Sequence, residues 1–176
     1  MQHTLVALVE DKPGVLNRVA SLFRRRAYNI DSLTVGHTHQ PGVSRMTIGV
    51  TGDDFQIERL TAYLYKLVNV IQVEDLSKVP SVNRDLAMVK VKANAENRTH
   101  IMQTVDVFRA RIVDVTNDSF IVEVTGDEEK IEGLLDVLKP FGIIEMVRTG
   151  MVSMARGVNA NPAFSSNGHH AQEIIN

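Results

Sequence analysis

Residues 50–76, VTGDDFQIERLTAYLYKLVNVIQVEDL, return as residues 124–150, VTGDEEKIEGLLDVLKPFGIIEMVRTG. Val-Thr-Gly-Asp opens both copies. Ile57 and Ile131, Glu58 and Glu132, Leu60 and Leu134, and Leu64 and Leu138 then fall in register. Apolar residues also match in the closing segment, Val70 with Ile144 and Val73 with Val147. A strand–turn–helix–strand segment used twice implies two copies of one supersecondary unit. No bulk property of the chain limits its fold as much.

The rest of the unit can be read around the repeat. In the first copy His3 to Val9 reads as a strand. Residues 13–27 then place Val15, Leu16, Val19, Leu22 and Phe23 at helical spacing. NIDSLTVGHT and VSRMTIGVTG read as two strands joined by a turn over 38–42 that carries Pro41 and Gly42. Residues 54–68 put Ile57, Leu60, Leu64 and Leu67 on one helical face, and VIQVEDL closes the unit as a strand. The order is βαββαβ, the split-βαβ or ferredoxin-like arrangement. The second copy fills in the same way. DLAMVKVKA is a strand, NRTHIMQTVDVFRA a helix, and RIVDVT with SFIVEVT a hairpin around Asn117 and Asp118. The expected fold class is therefore α+β, with two ferredoxin-like domains over 1–78 and 84–157. The break falls in SKVPSVNRD, where a proline interrupts the pattern. From residue 158 to 176 periodicity is lost and Gly, Asn and Ser are frequent, which predicts a flexible tail.

Composition excludes several function classes. The chain has no cysteine, so disulfides, thiol nucleophiles and cysteine-held metals are out. Its formal net charge is −2, which removes the simplest electrostatic case for nucleic acid or an anionic membrane. The ferredoxin-like class includes RNA-binding domains, but TIGV and IVEV lack the aromatic residues on which bases stack. No glycine-rich phosphate loop, nucleophile elbow or His-Glu-x-x-His is present. No apolar run is long enough to span a bilayer, and the N-terminus lacks the basic stretch of a signal peptide. A cytoplasmic binding or regulatory module is the expectation.

The two copies differ in one place that bears on chemistry. Between first strand and first helix, copy one has Asp11-Lys12-Pro13-Gly14 and copy two has Ala93-Asn94-Ala95-Glu96. A Pro-Gly turn demanded by the fold alone would be needed in both. Proline suits the first helical position, since its missing N–H costs no hydrogen bond there. The amides of Gly14, Val15 and Leu16 would follow without intrahelical partners, suited to a carboxylate and aided by the helix dipole. Gly14 leaves the approach open, and Asp11 could accept hydrogen bonds from an ammonium. A carboxylate site beside an ammonium site describes an α-amino acid. The competing reading is an ordinary strand-to-helix turn, and local sequence alone favours it.

Other candidates carry less. Asn29 could donate to a carboxylate and accept from an amine, or simply sit in a turn. His37 and His39 fall in the hairpin turn, where a metal would need more ligands. Arg24, Arg25 and Arg26 close the first helix, and pairing with the helix C-terminal dipole explains them better than phosphate binding does.

Taken in order, EDKPGVLNRVASLFRRRAYNIDSLTVG, SRMTIGVTGD and KLVNVIQVEDL closely resemble the ACT domain of acetolactate synthase small subunits. FRARIVDVT, VEVTGDEEKI and GIIEMVRTGMVSMARG resemble that family's C-terminal domain, so the likeness covers about residues 2–157. It implies a non-catalytic regulatory subunit that binds and activates a thiamine-diphosphate-dependent catalytic subunit and confers feedback inhibition by valine. Thiamine diphosphate, FAD and Mg would belong to that partner, with no cofactor on this chain. The resemblance further implies a homodimer formed side by side through the second strands, with valine at the interface. Carried over, the site is Asp11, Pro13, Gly14, Val15 and Leu16 of one chain, with Asn29 and Ile30 across the dimer and Val35 lining the side-chain pocket. Many relatives carry Asn where this chain has Asp11, which leaves the preference among valine, leucine and isoleucine open. A stand-alone amino-acid-sensing regulator of another partner would share the same fold and loop.

Overall fold

The computed structural model describes residues 1–157. They group into two units, Met1–Val82 together with the residues from Ser153 on, and Asn83–Val152. The expected tail over 158–176 lies outside the described residues.

The first unit runs β1 (Gln2–Glu10), α1 (Val15–Arg25), β2 (Ser32–His37), β3 (Val43–Thr51), α2 (Asp54–Leu64) and β4 (Val70–Asp75). Its sheet has the order β2-β3-β1-β4, with β1 antiparallel to both neighbours. Leu5, Ala7 and Val9 of β1 alternate onto the face that α1 and α2 cover, where they meet Val19, Phe23, Leu60 and Leu64. Leu60 and Leu64, two of the repeated leucines, are fully buried.

The second unit repeats the plan with β5 (Ser81–Lys92), α3 (Arg98–Val107), β6 (Arg111–Val115), β7 (Ser119–Gly126), α4 (Glu128–Leu138) and β8 (Ile143–Arg148). Its sheet order is β6-β7-β5-β8, the same permutation. Leu134 and Leu138 take the core places that Leu60 and Leu64 hold in the first unit. Arg148 on β8 binds Asp85 on β5 at 2.6 and 2.9 Å and Glu132 on α4 at 2.9 Å, tying sheet to helix. Two ferredoxin-like βαββαβ units are thus present, as the repeat predicts.

The structure also explains why Val-Thr-Gly-Asp recurs. Its aspartate caps the following helix in both units. Asp53 accepts from the Gln56 amide at 2.7 Å, and Asp127 from the Lys130 amide at 3.0 Å. In return the Gln56 side chain accepts from the Asp53 amide at 3.0 Å, completing a capping box. The preceding glycine gives that third helical side chain room. A Cβ on Gly126 would lie 2.6 Å from the Lys130 chain, and one on Gly52 would lie 3.1 Å from Gln56.

Two helix limits differ from the periodicity. The first helix, expected over 13–27, starts at Val15, because Gly14 has φ +84° and cannot continue a right-handed helix. The second, expected over 54–68, ends at Leu64. Beyond it the Lys66 and Leu67 amides bond three residues back, to Tyr63 and Leu64. Finally, β9 (Val152–Ala155) pairs with β5, and the Arg156 amide donates to the Pro80 carbonyl at 2.8 Å. Arg45 on β3 donates to the Ser153 carbonyl at 2.7 Å.

Candidate functional site

The turn between β1 and α1 is where the copies diverge in sequence, and they diverge in bonding too. In the second unit Asn94 closes the turn on itself. Its side chain accepts from the Glu96 and Asn97 amides, each at 3.0 Å, while Asn97 accepts from the Asn94 amide at 2.7 Å. The Glu96, Asn97 and Arg98 amides are therefore used within this turn, although α3, like α1, makes no side-chain cap bond. In the first unit Gly14 is the N-cap and makes no side-chain cap bond. Among the described residues the amides of Gly14 and Leu16 find no acceptor. The first turn of α1 thus presents free donors at the positive end of its dipole.

Three details of the expected geometry change. Pro13 precedes the helix rather than opening it. Gly14 is required by its left-handed backbone, since a Cβ there would meet nothing within 4 Å. The Val15 amide is partly occupied by the Lys12 carbonyl at 3.4 Å, so Gly14 and Leu16 offer better donors. Val15 itself is buried in the core, and Leu16 is half exposed beside the turn.

Asp11 is held by its own amide, which donates to Gly42 at 2.8 Å, and its carboxylate lies 3.3 Å from Nδ1 of His37. His37 ends β2, so the last residue of β2 stands at the β1–α1 turn. The sequence pattern puts His37 in the hairpin turn; the structure puts it at the end of β2, still largely exposed. Only the strand order reveals the contact, because β3 pairs with both, Glu10 opposite Val43 and His37 opposite Ser44. Asn69 is a second residue with no sequence signal. It accepts from Arg18 on α1 at 2.6 Å and donates to Glu10 at 2.5 Å. That bond, with a further one from Lys12, holds the Glu10 carboxyl below the usual carboxylate range.

Asn29 and Ile30 lie at the opposite end of β2. The Asn29 amide group donates to Asp31 at 2.7 Å, and Asp31 also accepts from Thr51 at 2.8 Å. Ile30 packs against the core. Val35 pairs with buried Met46, so it faces the helix side of the sheet, where it stays 42% exposed. From Ser32 to His37 the strand spans about 17 Å. One chain therefore holds the two halves of the expected site at opposite ends of β2.

Among the described residues β2 is also an open edge. It pairs only with β3, in unbroken register, and SLTVGH contains no Lys, Arg, Glu or Pro. The matching edge in the second unit, β6, carries Arg111 and Asp114 and breaks register between Ile112 and Asp114. Charge and bulging are the usual defences of a free edge. Among the described residues no cluster of three or more metal-ligating side chains occurs, and no helix is long and apolar enough to cross a membrane.

Comparison with known proteins agrees with this division. Residues 5–72 match the family described as the AHAS small subunit-like ACT domain, and residues 84–157 match the family described as the small subunit of acetolactate synthase. A probable acetolactate synthase small subunit from Archaeoglobus fulgidus is 52% identical over 157 residues, covering 89% of this chain and 98% of that protein. The chain belongs to the acetolactate synthase small-subunit family. The small subunit from Mycolicibacterium smegmatis is 52% identical over 155 residues, 88% of this chain and 91% of that protein. The crystal structure of the Thermotoga maritima small subunit superposes with a TM-score of 0.85 at 41% identity, over 89% of this chain and 98% of that one. A small, regulatory subunit of acetolactate synthase is therefore the family role, and the Gly14 turn is this member's candidate effector site.

Proposed function

We propose that this chain regulates a catalytic acetolactate synthase subunit by binding a branched-chain amino acid, valine first, between two of its own copies. The observation that carries the reading is the unguarded β2 edge with half of the site at each end. Antiparallel pairing of two β2 edges across a two-fold axis would set Asn29 and Ile30 of one copy against the Gly14 turn and His37 end of the other. The free amides of Gly14 and Leu16 would then take the carboxylate, Asp11 the ammonium and Val35 the side chain. No catalytic role falls to this chain. The carboligation, with its thiamine diphosphate, FAD and Mg, belongs to the catalytic partner.

Inhibition follows only if valine prefers one arrangement of the dimer over another. A tenfold preference corresponds to about 1.4 kcal/mol per site. The test is calorimetric titration of the full chain with L-valine against D-valine, followed by reconstitution with a catalytic subunit. Gly14→Asp should abolish saturable L-valine binding and valine inhibition while activation persists. Loss of activation together with inhibition would count against a dedicated site.

A further inference from the structure

A cleft of about 270 Å³ opens on the helical side of the first unit, between α1 and the end of α2. Leu22, Leu67 and Tyr63 line it, with Arg25, Arg26 and Lys66 around them. The Arg26 guanidinium lies 3.9 Å from the centre of the Tyr63 ring, and the Lys66 ammonium lies 5.4 Å from it. Arg59 adds a third cation, donating to the Tyr63 hydroxyl at 3.1 Å. The helix-dipole reading of the sequence accounts for Arg25 and Arg26 at the end of α1. It does not explain why α2 and the turn after it bring Arg59 and Lys66 to the same ring.

The convergence of these cations on one cleft is the informative fact. Lys12, Lys78, Lys90, Arg111, Lys139 and Arg148 each lie against a carboxylate, while other cations such as Arg18 and Lys130 bond neutral oxygens. Arg25, Arg26, Arg59 and Lys66 have no such partner among the described residues. The concentrated field also acts on Tyr63. The Arg59 hydrogen bond, then the charges of Arg26, Arg59 and Lys66, hold its phenol below the usual tyrosine range.

We infer that this cleft binds a small phosphate monoester, at a site separate from the Gly14 turn. Guanidinium forks match phosphate oxygens in pairs, and Lys66 supplies a point charge. A doubly charged phosphate answers several unpaired cations better than one carboxylate does. The Leu22 and Leu67 side chains offer apolar contact for a short organic part. The volume falls just below the usual range for ligand pockets, about 300–1,000 Å³, which excludes dinucleotides and suits a phosphate carrying a few carbon atoms.

The experiment is amide and arginine side-chain NMR of the full chain, at constant ionic strength, with glycerol 3-phosphate, inorganic phosphate, acetate and a glutamate-rich peptide as probes. Saturable shifts centred on Arg25, Arg26, Tyr63 and Lys66 are expected with both phosphate probes, tighter with the ester. Arg26→Gln and Lys66→Gln should each weaken that binding about tenfold, the loss of one charge-assisted hydrogen bond. Their thermal unfolding should match the parent, which keeps a folding defect distinguishable. Three results would overturn the assignment: no saturable response to either phosphate probe, an equal response to acetate, or a response to the acidic peptide alone. The last would make the cleft a protein-docking surface instead.

Discussion

Gly14→Ala isolates the backbone from every other contribution at the turn. The added methyl meets nothing within 4 Å, so no clash enters. What remains is the conformation, φ +84°, which costs an L-residue about 1–2 kcal/mol. Part of this is offset because alanine restricts the unfolded chain more than glycine does, by about 0.4–1 kcal/mol. The net loss is about 1 kcal/mol, and for a unit of this size that lowers Tm by about 4–8 °C. Thermal unfolding followed by circular dichroism, with calorimetry to separate the units, measures it. Gly14→Asn is the control, because asparagine tolerates the left-handed region better than alanine. It should recover a large part of the loss. If Gly14→Ala unfolds at the parent temperature, the turn does not need its left-handed residue and the explanation for Gly14 fails. If asparagine costs as much as alanine, the penalty arises from something other than φ.

Three further perturbations test other parts of the structure. Asn69→Ala removes the main hydrogen bond that holds the Glu10 carboxyl low. A depressed folded pKa gives stability that is present above the unfolded value, about 4.3, and is lost as pH falls through the lower folded value. The variant should therefore show a shallower loss of stability in acid than the parent, read from urea midpoints between pH 5 and about 2. An unchanged slope would remove Glu10 as the cause. Arg148→Met leaves Asp85, only 9% exposed, without its guanidinium, and should cost about 3 kcal/mol in urea unfolding. Asp85→Asn in the same chain should recover part of that loss, and a double variant no better than the single one would contradict the pairing. Leu64→Ala empties a fully buried core position and should cost about 3–5 kcal/mol, seen as faster amide exchange across β1 and β3.

The repeat was legible because its residues perform local tasks. Asp53 and Asp127 cap the helix that follows them, and Leu60, Leu64, Leu134 and Leu138 pack at helical spacing. Such signals depend on neighbours along the chain. The asymmetry between the two strand-to-helix turns was legible as well, although its cause was not. Asn94 binds two amides of its own turn, and among the described residues no side chain does so for the Gly14 turn, which only bonding geometry reveals. His37 beside Asp11 depends on both β1 and β2 pairing with β3, so no local pattern carries it. Tyr63 and Lys66 beside Arg26 are likewise products of helix packing. Positive φ at Gly14 moved the helix start past Pro13, and periodicity is blind to that.

The hydrogen bond from Arg156 to Pro80 has a topological consequence. Residues that leave the first unit and residues that come back to it are bonded neighbours, so the second repeat is spliced into the first as a loop with closed ends. Cutting the chain at Val82 would remove the Ser153 carbonyl that accepts from Arg45 along with the repeat. Excising 83–152 and bridging the gap with a short turn would keep it. The natural excision is thus internal, and the same two ends form a socket into which another module with adjacent termini could be grafted.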